Sequence, residues 1–260
     1  MSSSRSTSTI LAIDCSQREA CLVLEHAGRV HARRFDPTAQ VDREPLWDEL
    51  RLLFADAGAP VGALGAIAVA TGPGGFTGLR VAIGCAKGVA FGLGIPVVAL
   101  PSPIVFAVSD RAQGGAGPWL VALAAKQDTV WAVEVGEVGE VGEGEQAGGD
   151  GSRRLELGDP IVVGPDRFSA IAARVAGCGG TLLADEHLGE RLTQVAAEAG
   201  LPIRRFGVDP AAFVREARAR LEQGLVTDPL QLAPIYAREP EAVTKWRERA
   251  DSARRVANGG

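Results

Sequence analysis

The sequence predicts an α/β protein with mixed sheets flanked by helices, divided between two lobes. Three observations lead there. Short apolar runs alternate with helix-length amphipathic segments along the 260 residues. The pattern occurs twice: each half opens on strand-like runs and continues as alternating helices and strands. The apolar content is aliphatic, with aromatics at only 5% and Met1 the sole methionine, so the core is to be built from Ala, Val, Leu and Ile.

The elements follow in order. "ILAID" (Ile10 to Asp14) reads as a central strand closing on a carboxylate. "CLVLEH" and "VHARRF" flank Ala27-Gly28-Arg29 with hairpin spacing. "PLWDELRLLFADAG" puts Leu46, Leu50, Leu53 and Phe54 on one helix face, and Gly58 stops it. "LGAIAVAT" is a strand, a glycine loop follows, and a helix runs from about Gly78 to Leu93 before the strand "IPVVALP". In the second half, "PWLVALAA", "TVWAVEV", "RRLELG", "PIVVG" and "GTLLAD" read as strands. "DRFSAIAARVAG", "LGERLTQVAAEAG" and "DPAAFVREARARLEQG" read as helices. Residues 136–152, acidic and glycine-rich, read as a flexible insertion.

Composition narrows the function classes. A net charge of −5 argues against a surface that grips nucleic acid unaided. Cys15, Cys21, Cys85 and Cys178 form no C-x-x-C pair, so buried thiols in a reducing cytoplasm are expected rather than zinc or disulfides. Residues 1–8 lack the apolar core of a signal peptide and read as a disordered leader. The run from Val81 to Leu100 is interrupted by Lys87, glycines and Pro96, which reads as a buried helix and strand rather than a membrane span.

The duplicated pattern resembles the ribonuclease-H-like halves of the actin, sugar-kinase and Hsp70 superfamily, whose ATP-using members carry a phosphate loop in each lobe. Here Asp14-Cys15-Ser16 could supply the first acid, but Gln17 and Arg18 stand where glycine would help. The second lobe has Ala124-Ala125-Lys126, with no carboxylate to organise Mg²⁺. Gly179-Gly180 precedes its strand and reads as a helix stop. Asp14 reads as the cap of an Asx turn. The loop before Gly78 also fails the P-loop pattern, because Leu79-Arg80 follow that glycine, and Thr77 stands where a dinucleotide fingerprint needs its third glycine. No cofactor is expected. A small-molecule kinase remains the alternative, and no H-E-x-x-H or G-x-S-x-G motif supports a peptidase.

The glycines have another use. Gly84, Gly88 and Gly92 recur every four residues and form one stripe; Ala82, Ala86 and Ala90 form a second beside it. Each interior helix glycine costs roughly 0.5–1 kcal/mol against alanine. A row of them lets another element approach closer than the usual ~8–10 Å between helix axes. Spacing alone leaves open whether that element is this protein's own sheet or a partner. Arg80, Lys87 and Phe91 lie on the remaining face, where an exposed Phe91 would suit an interface.

"ILAIDCSQREACLVLEHAGRV", "AIAVATGPGGFTGLRVAIGCAKGVAFGLGIPVVALPS" and "LAPIYAR" resemble the TsaB family, formerly YeaZ. The resemblance is clear over about residues 9–105 and weaker beyond. It implies an actin-like two-lobed fold without ATP chemistry, acting as the non-catalytic partner of TsaD in synthesis of threonylcarbamoyladenosine at position 37 of tRNA. It further implies a TsaE-type ATPase in the complex, contact with tRNA only within that complex, self-association through a similar surface, and no membrane. The positions carried over as interface and its support are Gly72, Gly74, Phe76, Thr77, Gly78 and Arg80 in the loop, and Gly84, Lys87, Gly88 and Gly92 on the helix, joined by Phe91. The chain departs from the family at Val41 to Leu46, where a His-Ser/Thr start is common, and at Ala124-Ala125-Lys126, where Asp-Ala-Arg is common. The expected division is a leader, a first lobe over 9–105 with 209–238 packing back onto it, a second lobe over 106–208, and a tail over 239–260.

Overall fold

The computed structural model describes residues 8–37, 45–125, 129–138, 154–185 and 187–237. The expected leader apart from Ser8, most of the acidic insertion, Lys126, Glu186 and the tail lie outside the described residues.

The first sheet comprises β1 (Thr9–Asp14), β2 (Ala20–His26), β3 (Arg29–Phe35), β4 (Leu64–Ala70) and β5 (Val97–Leu100), in the order β3-β2-β1-β4-β5. The β2–β3 hairpin turns through two residues of positive φ, Ala27 at 48° and Gly28 at 73°, a backbone twist that matches the strands it joins. β1 is antiparallel to β2 and parallel to β4, which is parallel to β5. The second sheet repeats this order with β6 (Trp119–Ala124), β7 (Val130–Val138), β8 (Arg154–Leu157), β10 (Thr181–Ala184) and β11 (Ile203–Arg205), arranged β11-β10-β6-β7-β8, while β9 (Ile161–Val163) pairs with β7. Each sheet therefore has its first strand in the middle, a hairpin on one side and parallel crossovers on the other. This is the ribonuclease-H-like strand order, twice over.

Among the described residues six α-helices cover the sheets: α1 (Pro45–Ala57), α2 (Phe76–Leu93), α3 (Ser102–Ala112), α4 (Pro165–Gly177), α5 (Glu190–Glu198) and α6 (Pro210–Glu222). Alternation along the strands sorts them into layers. Leu11, Ile13, Ile67 and Val69 face α1 and α2 in one core. Ile10, Ala12, Ala66 and Ala68 face the opposite way, into a core that also holds α3, α6 and inward residues of the second sheet such as Trp119, Val121 and Val133. Leu120, Ala122 and Ala132 complete the arrangement against α4 and α5. α3 and α6 are thus shared between the sheets. α3 follows the first sheet but packs on β7 and β8; α6 follows the second but packs on β1 and β2. Ser109 Oγ on α3 accepts from the Asp209 amide (2.8 Å), whose side chain in turn caps α6 by accepting from the Ala212 amide (2.8 Å).

Several expectations need correction. α2 begins at Phe76, two residues before Gly78, and only one of its faces is buried. α3 and β11 carried no sequence expectation. Ser102 to Asp110 are all buried, so α3 has no polar face to betray its period. β7 extends into the acidic stretch, with Gly136, Glu137 and Val138 pairing with β8. Three cysteines are buried as expected, but Cys178 is exposed.

Candidate functional site

The loop between β4 and α2 is crowded. A Cβ built on Gly74 would strike the Ser16 carbonyl oxygen, and one on Gly78 the Cys15 carbonyl oxygen, both well inside contact distance. Gly72, at φ 99°, adopts a conformation that side chains resist, and its Cβ would meet the Ile235 carbonyl oxygen and Leu79 Cδ1. Two of the loop's amides bond within the protein: Gly72 N donates to Ser102 Oγ (3.1 Å) and Gly75 N to Ser16 O (2.8 Å). These glycines allow the turn after β1 and the segment around Ile235 to press onto the start of α2.

The helix glycines behave differently. Leu79, Ala82, Ile83, Ala86 and Ala90 are buried, the alanines letting α2 lie close on β4. Gly84, Gly88 and Gly92 point the other way, with nothing within 4 Å of the Cβ each would carry. They are exposed, in a row bounded by Phe91 at 87% and Phe76 at 49% exposure, with Arg80 exposed and Lys87 half-buried. The own-sheet reading of the stripe is thereby eliminated. By length and composition α2 is apolar enough to cross a membrane, at mean hydropathy 1.3 over 18 residues, yet a third of it is buried in the protein. Its remaining apolar character belongs to the open face. On the same side of the sheet, α1 exposes Trp47 and Leu52, which the sequence pattern did not single out.

At the N-terminal end of α2 the chain's C-terminal segment joins the surface. Leu232 is buried in the α1–α2 core, and the Ile235 amide donates to Thr71 O (2.7 Å). Tyr236 stacks on Phe76 (5.3 Å between centroids) and accepts a hydrogen bond from Arg80 Nε (2.9 Å), while the Arg80 guanidinium carbon lies 3.7 Å from the Phe76 centroid. Thr77 is exposed in the first turn and, with Phe76, lines the neighbouring cleft.

That cleft, about 570 Å³, opens between the lobes. One wall is Cys15 to Glu19 with the start of α2; the other is Ala184, Asp185, His187 and the segment after β11. Asp14 lies beneath it, almost wholly buried. Its Oδ1 accepts from the Ser16 amide (2.7 Å), the expected Asx turn, while Oδ2 has no hydrogen-bond partner. Desolvation by burial raises its pKa against the lowering effect of the Ser16 hydrogen bonds. Asp185, which follows β10 on the opposite wall, accepts from the His187 amide (3.0 Å). Both carboxylates at the strand ends are thus engaged by their own turns. Among the described residues no three His, Cys, Asp or Glu side chains group as metal ligands. Burial pushes the thiol of Cys21 up to about 12 and that of Cys85 up to about 11, and raises Cys15 further.

Comparison with known proteins places this geometry. A family model described as TsaD, tRNA N6-adenosine threonylcarbamoyltransferase, matches residues 42–154. The tRNA threonylcarbamoyladenosine biosynthesis protein TsaB of Escherichia coli (strain K12) is 28% identical over 125 residues, 48% of this chain and 54% of that protein. The TsaB protein of Haemophilus influenzae is 30% identical over 129 residues, 49% of this chain and 53% of its own length. The match thus spans about half the length of these curated relatives. Among solved structures, YeaZ from Pseudomonas aeruginosa superposes with a TM-score of 0.64 at 25% identity, covering 88% of this chain and 99% of its own. A second Pseudomonas aeruginosa structure, described as similar to peptidase YEAZ, gives 0.64 at 26% identity over 89% of this chain and 100% of that one.

Proposed function

This chain belongs to the TsaB/YeaZ family, and on that premise we propose that it is a non-catalytic subunit in synthesis of tRNA threonylcarbamoyladenosine. It binds and stabilises a TsaD-type transferase through the outward face of α2. The observation that carries the reading is the open glycine row, Gly84, Gly88 and Gly92, beside an exposed Phe91. Three interior glycines cost the isolated helix stability, and among the described residues nothing comes within 4 Å of the Cβ each would carry. A helix seated in that row could approach closer than side chains normally allow, with Phe91 as a large apolar anchor.

The crowded loop supports this role mechanically. Gly72, Gly74 and Gly78 let neighbouring segments clamp the start of α2, so the docking face is held rigid before a partner arrives. A TsaE-type ATPase joins the same complex, tRNA is met only within it, and the site of action is the cytoplasm. Self-association through the same face competes with the transferase.

The test is reconstitution: the transferase with and without this chain, scored by tRNA modification, alongside co-purification of the two proteins. The reading expects a stoichiometric complex and modification that depends on this chain; equal modification without it overturns the proposal. The interlobe cleft favours a second reading, a small-molecule kinase. Saturable Mg-ATP binding to the isolated chain by calorimetry would support that reading, and its absence would count against it.

A further inference from the structure

We propose that Arg80, held between Phe76 and Tyr236, is a carboxylate receptor that takes an Asp or Glu side chain of the partner subunit. The recognition surface then includes the C-terminal segment as well as α2. This inference rests on the partner-binding reading above.

The geometry is that of a prepared cation. The guanidinium lies over the Phe76 ring at 3.7 Å, and its Nε is fixed on the Tyr236 hydroxyl at 2.9 Å. Among the described residues that bond is the one hydrogen bond of the guanidinium, leaving both terminal nitrogens, the fork that grips a carboxylate through two parallel hydrogen bonds, open. The aromatic face excludes water from one side, which strengthens an incoming ion pair. The clamp is itself anchored, because Leu232 is buried and the Ile235 amide is bonded to Thr71 O. Little ordering remains to be done on binding.

Among the described residues the charge has no carboxylate beside it. Arg33, Arg34, Arg51, Arg174, Arg218 and Arg220 each pair with a carboxylate. Among the described residues no carboxylate pairs with Arg80, whose hydrogen bond is to a neutral phenol. α2 has no acidic residue in its first turn and no side-chain cap. A cation this near a helix N-terminus works against the macrodipole, so helix stability does not explain its placement.

The same charges choose between occupants. The sequence of α2 contains Arg80 and Lys87 and no acid at all. Two copies meeting α2 against α2 would bring cations against cations, which costs affinity. A different protein presenting a carboxylate opposite Arg80 relieves the imbalance, so the occupant is the transferase-type partner rather than a second copy.

Titration of the full-length chain with the TsaD-type subunit by calorimetry, at low and moderate salt, tests this. Arg80→Glu is expected to weaken binding about a hundredfold, and Arg80→Lys or Tyr236→Ala about tenfold. Tyr236→Phe keeps the stack and loses the hydroxyl acceptor, so it should cost only about threefold. All four variants should melt within a few degrees of the parent, and the salt dependence seen with the parent should be kept in Arg80→Lys and lost or reversed in Arg80→Glu. Parent-like affinity in both Arg80→Glu and Tyr236→Phe overturns the inference while leaving the α2 reading intact. Loss of self-association on sedimentation with transferase binding unchanged also overturns it, by assigning the receptor to a second copy. If the parent chain itself does not bind the transferase, both fall.

Discussion

Gly72, Gly74 and Gly78 sit where a side chain would strike the backbone of another segment. Gly84, Gly88 and Gly92, a few residues on, sit where a side chain would meet nothing. The residue type is the same and the physical reasons differ. In the loop, glycine is required by this chain's own packing. On the helix it is a cost to the free chain, about 0.5–1 kcal/mol at each interior position, with no return inside the fold. A glycine-rich motif can therefore carry a structural half and a recognition half, separable by what a Cβ would touch.

The sharpest way to break this comparison is to add one methyl group on each side of it. Gly74→Ala should destabilise the chain by about 3 kcal/mol in denaturant unfolding, because the Ser16 carbonyl it would strike belongs to a hydrogen-bonded turn. Parent-like stability would mean the loop is looser than its geometry. Beneath the loop, Asp14 offers a test that depends on pH. Its folded pKa is raised, so the native state holds a proton that the unfolded state releases first. Stability should then fall as pH rises from the ordinary carboxylate range through the raised folded value. Asp14→Asn should remove that fall, so the variant gains on the parent as pH rises from acidic to neutral. A constant difference between the two unfolding curves across pH would contradict the burial argument.

On the helix side the sign reverses. Gly88→Ala should stabilise the isolated chain by about 0.5–1 kcal/mol, since the added carbon meets no neighbour and alanine favours the helix. A destabilised variant would show that the row is covered within this chain. The smallest effect concerns the cysteines. Native alkylation at neutral pH should label Cys178 alone, because burial raises the other three thiols and shields them. Mass spectrometry showing label on Cys15 would mean that the cleft wall opens.

Much of the fold was legible because its signals are local. Ala27-Gly28 marks the hairpin, Leu46, Leu50 and Leu53 mark the buried face of α1, and Gly58 at φ 62° ends that helix. α3 was not legible, because a helix buried on every side has no amphipathic period to read. β11 is a three-residue edge strand, too short to show alternation. At the candidate site, spacing put Gly84, Gly88 and Gly92 in one row but could not say which way the row faces. Tyr236 was visible only as part of "LAPIYAR", since its place beside Arg80, 156 positions away in the chain, is set by tertiary packing. Periodicity reports faces within an element; it carries no information about which distant segment closes over them.

The most direct test of the account is the affinity of Gly88→Leu for the TsaD-type subunit, measured with its melting curve. Filling the open row is predicted to weaken binding at least about tenfold while the free variant melts at or above the parent. Undiminished binding, or a variant that unfolds before it can bind, would contradict the claim that this row is kept empty for a partner.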